Sequence, residues 1–251
     1  MTELNHTQQQ KQYKILLIGD NCTDVYQYGT VDRISPEAPV PVFKFSHEES
    51  RPGMAGNVCN NLVALGCNVY SVYGENSTKT RLIDIRSKQQ IVRIDNDVVS
   101  TPPSISYSLT GYNAVVISDY NKGTVTYELI ENLRNTFNGP IFVDTKKTDL
   151  SRLEGCIVKI NSFEFSQIKT RCSNLIVTLG PEGAEWNNEI FPAPVVEVSD
   201  VCGAGDTFLA ALAYWYIHSQ DMAQAIKFAV RASAATVQRL GVYAPSLEEI
   251  L

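Results

Sequence analysis

Along most of the chain, short apolar runs alternate with stretches of helical spacing. Lys14–Gly19 is a continuous apolar run ending in glycine and reads as a buried first strand. Asn57–Leu65 carries its apolar residues at helical intervals and stops at Gly66, after which Asn68–Tyr73 reads as a strand. Ala114–Ser118 is a β-branched run followed by a helix over Thr124–Thr136, and Ile141–Val143, Cys156–Ile160 and Leu175–Leu179 repeat the strand pattern. The last third, Gly205–Tyr216 and Met222–Leu240, is alanine-rich and helical, with Gly241 closing it. Apolar strands alternating with helices predict an α/β fold, its sheet parallel and covered on both faces. Val40–Phe45, Arg81–Arg86 and Gln90–Ile94 instead alternate apolar with polar residues. Half-polar strands do not fit a sheet buried on both sides, so they predict a small second sheet projecting from the main one.

Composition narrows this picture. A chain of 251 residues with 44% apolar residues can bury a sizeable single core. The net charge of −6 argues against non-specific nucleic-acid binding, which needs a basic surface. The six cysteines form no CxxC pair and there are three histidines, which argues against a zinc site. Free thiols in apolar surroundings point to a reducing, cytoplasmic compartment. Residues 1–13 are polar and lack the apolar core of a signal peptide, so a disordered tail is expected there, with one domain over 14–251. No apolar run approaches the ~20 residues that span a bilayer.

The strongest candidate for chemistry is Asp200-Val201-Cys202-Gly203-Ala204-Gly205-Asp206-Thr207-Phe208, which runs straight into an alanine-rich helix. Small residues let the backbone approach a ligand, and free N–H groups at a helix start bind anions. Phosphoryl transfer needs such donors where charge gathers, and a carboxylate to take the hydroxyl proton. Asp206 at the helix mouth fits that base, with Gly203, Ala204 and Gly205 supplying the donors. The plainer reading is a Gly-Ala-Gly turn with Asp206 as a helix cap.

This segment resembles the C-terminal signature of the ribokinase (PfkB) family of carbohydrate kinases. Arg51-Pro52-Gly53-Met54-Ala55-Gly56-Asn57 resembles the family's N-terminal glycine-rich turn. Gly19-Asp20, Asp24, Gly29 and Arg33–Val42 are similar to the bacterial D-glycero-β-D-manno-heptose-7-phosphate kinases. So are Thr78-Lys79-Thr80-Arg81, Arg93-Ile94-Asp95, Ser118-Asp119-Tyr120 with Lys122-Gly123, and Asp144–Asp149. Lys159–Glu164 carries an Asn-x-x-Glu element, and Thr178–Gly183 resembles the nucleotide-side turn. The likeness covers nearly the whole chain after Tyr13.

The resemblance implies a three-layer sandwich with a small β-sheet lid, built from about 31–45 and 81–95, and a homodimer through that lid. It implies ATP and Mg²⁺ as cofactors and a sugar phosphate as acceptor. Gly53 and Asn57 would support sugar hydroxyls; Asp20 and Asp24 could do the same, although Asp20 could equally cap the turn at the strand end. Arg33, Lys79, Arg81, Arg93, Lys122 and Lys146 would offer cations to the phosphate, beside Asp119. Asn161, Glu164, Thr178, Gly180, Gly183 and Ser233 would line the nucleotide side, with Glu164 in the metal shell. The chain departs from the pattern by carrying only Glu75-Asn76-Ser77 where the family has a helix and a strand. Cys202 stands in place of threonine and Ser233 in place of asparagine. Two rivals remain: a kinase of another sugar phosphate or a nucleoside, and an idle sugar-phosphate-binding protein. A Rossmann oxidoreductase is disfavoured because Gly19 is not followed by GxGxxG.

Overall fold

The computed structural model describes residues 12–104 and 108–251. Its centre is a single twisted sheet of ten strands among the described residues. The strands are β1 (Lys14–Ile34), β2 (Pro41–Met54), β3 (Asn68–Asp84), β4 (Gln90–Asn96), β5 (Ala114–Asp119), β6 (Ile141–Thr145), β7 (Ile157–Asn161), β8 (Leu175–Thr178), β9 (Ala184–Trp186) and β10 (Glu189–Phe191). They lie in the order β10-β9-β8-β7-β6-β5-β1-β3-β4, with β2 also paired to β1. β3, β1, β5, β6, β7 and β8 are mutually parallel; the remaining pairings are antiparallel.

Side chains alternate across a strand, so consecutive residues of β1 serve different layers. Ile15 and Leu17 join Val58, Leu62, Phe142, Phe208 and Phe228 beneath α1 (Ala55–Ala64), α4 (Ala204–Ser219) and α5 (Met222–Thr236). Leu16 and Ile18 join Leu129, Ile130 and Leu133 of α2 (Tyr127–Thr136) on the other face. α4 is buried continuously from Asp206 to Tyr214. Its alanines face Ala225, Ala229 and Ala232 of α5 in the same cluster, where small side chains let two helices approach closely. A six-residue helix, α3 (Ser162–Gln167), and a short terminal one, α6 (Leu247–Ile250), complete the elements. No described helix is long and apolar enough to cross a membrane.

The projecting strands do not form the separate sheet that their half-polar pattern predicts, because β1 and β3 run unbroken from the core into the projection. Up to Gly19, β1 lies between β3 and β5; from Asn21 onward it lies between β3 and β2. The sheet therefore forks at Asp20. Glu75-Asn76-Ser77, expected as a bridge between two strands, lies inside β3. What remains of the missing unit is a register shift, in which Gly19 faces Tyr73 but Asn21 faces Asn76. An extra residue on one strand bends it, which lets the same strand leave the core and enter the lid. Of the tail expected over 1–13, residues 1–11 lie outside the described residues, and Tyr13 is buried against Tyr214.

Gly74, at the bend, has no room for a side chain, since a Cβ there would lie 1.9 Å from Thr124 Oγ1 and 2.5 Å from Ser100 Oγ. Gly74→Ala should therefore destabilise the fold by about 1–3 kcal/mol through overpacking. Urea unfolding of the two proteins side by side checks this, and equal midpoints would mean that the bend is slack.

Candidate active site

The loop before α4 is shaped by one carboxylate. Asp200 Oδ1 accepts from the Cys202 N–H at 3.0 Å and Oδ2 from the Gly241 N–H at 2.9 Å, tying the loop to the end of the chain's helical third. Burial opposes ionisation of Asp200, but these N–H donors outweigh it and hold the carboxyl below its ordinary range. Gly203 then turns into the left-handed region (φ 79°) and α4 begins at Ala204. A Cβ on Gly203 would lie 2.7 Å from Asn57 Nδ2, and one on Gly205 would lie 3.0 Å from Lys159 Nζ. Gly203 is thus required by its backbone angle and by close approach, while a side chain at Gly205 would press on the Lys159 ammonium.

Asp206 sits in the first turn of α4 and is 5% exposed. Asn57 Nδ2 donates to its Oδ2 at 2.9 Å, and the Tyr120 hydroxyl donates to its Oδ1 at 3.0 Å. Burial pushes its carboxyl up to about 6; the Asn57 amide and Lys159 pull the other way and Asp144 adds to the rise. Beside it, Lys159 Nζ holds Asp144 Oδ2 at 2.7 Å. Burial alone would discharge this lysine, but the Asp144 carboxylate keeps it protonated. A charged lysine, a carboxylate and an acid poised near neutrality thus surround the start of α4, where the Ala204 N–H, expected as a free donor, is instead given to Val201 O at 3.3 Å.

Two cavities flank the lid and the helix mouth. One of about 390 Å³ is lined by Thr178, Gly180, Gly183, Ala204, Gly205 and Ser233, with Val195, Val198 and Val237 among its apolar walls. Its size suits a small ligand, and the apolar lining suits a flat ring whose charged end points at α4. Asn161 pairs with Thr178 across β7 and β8 and caps α3, accepting from the Glu164 N–H while Glu164 accepts from the Asn161 N–H. The other oxygen of Glu164 pairs with Lys146. No group of three or more His, Cys, Asp or Glu that could cage a metal occurs among the described residues. Both oxygens of Glu164 are thus engaged, one by the Asn161 N–H and the other by the Lys146 ammonium. The second cavity, about 410 Å³, lies between the lid base and α1, lined by Asn21, Thr23, Ser50, Asn60 and Tyr73.

The residues expected to meet the acceptor divide. Asp24, Gly53, Asn57, Lys79 and Arg81 gather at the base of the lid: Asp24 lies in register with Lys79, and a Cβ on Gly53 would strike Asp24 Oδ2. Arg81, however, is held by Asp24 in a nearly buried ion pair. Arg93 is clasped by Asp95 at 2.8 and 2.9 Å, and Lys122 pairs with Asp97. Lys79 has no carboxylate within 4.0 Å among the described residues. Asp20 and Asp119 have internal work instead. Asp20 accepts from the N–H groups of Tyr120, Lys122 and Thr124 at 2.8, 3.0 and 3.2 Å, so it holds the distant loop after β5 and not a turn at the end of its own strand. Asp119 is saturated by Thr145, the Asn121 N–H and Lys147. Arg33 is exposed near the lid's far end, about 30 Å along β1 from Asp24 at ~3.3 Å per residue. Tyr120, Asp144 and Lys159 are legible in the sequence only as parts of motifs. A lysine inside the apolar run Ile157–Ile160 is the available signal for the last.

Residues 158–250 match the family model of the pfkB family carbohydrate kinases. The chain is 34% identical over 298 positions to a bifunctional protein HldE of a Nitratiruptor species, covering 94% of this chain and 64% of that one. Over its C-terminal part the chain is similar to the pfkB carbohydrate kinases. A bifunctional protein HldE of Campylobacter curvus (strain 525.92) is 33% identical over 302 positions, covering 96% and 64%. The chain thus spans less than two thirds of the length of these curated relatives. The alignments are also longer than its 251 residues, so the relatives carry stretches that it lacks. Among solved structures, the tetrameric inhibited form of phosphofructokinase-2 from Escherichia coli superposes with a TM-score of 0.72 at 17% identity, covering 96% of this chain and 97% of that one. Arabidopsis thaliana ribokinase complexed with ribose and ATP gives 0.71 at 15%, covering 96% and 98%. At such identities the likeness is one of fold, and it is a ribokinase fold.

An acid whose folded pKa is raised destabilises the protein once it ionises. Asp206 therefore costs stability as pH rises from its ordinary 3.8 through about 6. Asp206→Asn should melt higher than the parent above about pH 7 and lose that advantage below about pH 4. Thermal unfolding across pH reads the difference, and a constant offset would contradict the raised value.

Proposed function

We propose that the chain is an ATP-dependent carbohydrate kinase. In this reading it moves the γ-phosphoryl group of ATP to the anomeric hydroxyl of D-glycero-β-D-manno-heptose 7-phosphate, giving the 1,7-bisphosphate for nucleotide-heptose and lipopolysaccharide synthesis. The observation that carries the reading is Asp206, buried yet poised near neutrality, at the open N-terminus of α4 beside a ligand-sized cavity. The heptose rests on the resemblance of the lid and loop motifs, and on Lys79 as a cation left unpaired at the lid base.

In the reaction, Asp206 takes the proton of the acceptor hydroxyl as its oxygen bonds to the γ-phosphorus and the bond to ADP breaks. The N–H groups of Gly203, Gly205 and Asp206 and the Lys159 ammonium face the charge that gathers on the transferred group. Mg²⁺, when bound near Glu164, supplies neutralisation between the phosphates. Asn57 and Gly53 hold the sugar, and Thr178, Gly180, Gly183 and Ser233 shape the nucleotide side. A homodimer and a cytoplasmic location belong to the same reading. The lid's far face carries Val92 and Ile94, 44% and 55% exposed, which a second copy would cover.

Following ADP release with Mg-ATP and a panel of free sugars and sugar 5-, 6- and 7-phosphates tests the reading. Turnover is expected with a 7-phosphate, and Asp206→Asn should lower it by about 10²–10⁴-fold. Turnover of none of the panel, or near-normal kcat in Asp206→Asn, would refute it. Lys79→Ala should raise KM for the phosphorylated acceptor and leave KM for ATP alone; better turnover of the unphosphorylated sugar would point to a different acceptor.

A further inference from the structure

We propose that Tyr120 is a positioning residue for this reaction, its hydroxyl fixing the orientation in which Asp206 receives the acceptor proton. The inference rests on the reading of Asp206 as the base.

Tyr120 is held before its side chain does anything. Its N–H donates to Asp20 Oδ2 at 2.8 Å, and the Lys122 and Thr124 N–H groups converge on the same carboxylate. Asn121, between them, takes a left-handed angle (φ 58°) and donates its N–H to Asp119. The loop after β5 is thus suspended from the fork of the sheet, and the tyrosine side chain projects from it to Asp206 Oδ1 at 3.0 Å.

The other oxygen of Asp206 receives Asn57, whose own amide is met by Asn61 Nδ2 at 3.3 Å. Donors from two separate elements, one on each oxygen, leave the carboxylate no free rotation. Each oxygen keeps a second lone pair for the proton to be removed. The phenol is reliably a donor, because burial first and the Asp206 charge second push its ionisation well above the usual range. Its ring also carries the Lys146 ammonium 5.0 Å from the centroid, and Lys146 is the partner of Glu164. One side chain therefore touches both the base and the cation next to the expected phosphate site.

The charged and titratable groups facing Asp206 are Asp144 of β6, Lys159 of β7, Cys22 of β1 and Tyr120 itself, with neutral Asn57 from α1. Among them, Tyr120 and Asn57 contact the carboxylate directly. Deleting the hydroxyl removes a donor that favours the charged base, so the base should become harder to ionise.

Tyr120→Phe should lower kcat by about 10- to 100-fold, the worth of a hydrogen bond to a charged group, with KM for ATP unchanged. The acid limb of the kcat profile should move to higher pH. Independently of turnover, carbon-13 NMR of protein labelled at its aspartate carboxyls, with Asp206 assigned through Asp206→Asn, should show its titration moving upward in Tyr120→Phe. Difluorotyrosine placed at position 120, a stronger donor of the same shape, should move it downward and guards against a variant that merely loosens the fold. An unmoved titration in both proteins overturns the inference. If Asp206→Asn is inactive while Tyr120→Phe keeps kcat and pH profile, the positioning role alone falls; if Asp206→Asn stays active, the assignment of the base falls first.

Discussion

The architecture turns on one carboxylate at the place where the sheet divides. β1 exchanges β5 for β2 at Asp20, and the backbone that leaves β5 there has donors with no strand to receive them. Asp20 receives three of those N–H groups and is 1% exposed. An unpaired buried N–H costs on the order of 1–3 kcal/mol, so this one side chain offsets several such losses. It also sets the direction in which the loop carries Tyr120 and Lys122. Fold and site are joined through this residue: without a fixed loop, the tyrosine has no defined reach to α4.

Charge in the site is balanced locally, in pairs. Arg81 answers Asp24, Lys159 answers Asp144, Lys147 answers Asp119 and Lys146 answers Glu164. Buried charges require such partners, since an isolated ion in a low-dielectric setting is expensive. Asp206, like Asp20, has only neutral donors and no ion-pair partner among the described residues, and its carboxyl is raised to about 6. The burial that raises this carboxyl also makes its ionised form costly to the fold.

Much of this is legible in the sequence because local rules and tertiary packing agree. The apolar runs become the central strands, Gly66 takes a left-handed angle just after α1, and Gly203–Asp206 opens α4, although the helix expected to run to Leu240 and stop at Gly241 ends at Thr236. Pairing is not legible. Lys122 reads as a free cation because its partner Asp97 is settled by the loop path, whereas the partner of Arg93 stands two residues on along β4, at Asp95, within reach of a local reading. Asp20 and Asp119 read as ligand-facing because a carboxylate after a strand looks the same whether it meets a sugar or the backbone of a distant loop. The shortened segment at Glu75–Ser77 suggests a join between two strands. Only the register with β1 shows that one strand bends through it.

That bend has a mechanical consequence. Where a lid hangs from the core by loops, it can swing about a few backbone bonds. Here two adjacent hydrogen-bonded strands cross the junction without a break, so the projection is a cantilever and not a flap. Any excursion of its tip must be spread as small twists over many residues of β1 and β3, and the steepest strain falls where the beam is kinked, at Gly74. Ser100 and Thr124 brace that kink from the side. Flexing the beam therefore loads the loop that bears Tyr120, and the stiffness of the lid and the setting of the Asp206 carboxyl become two readings of one spring.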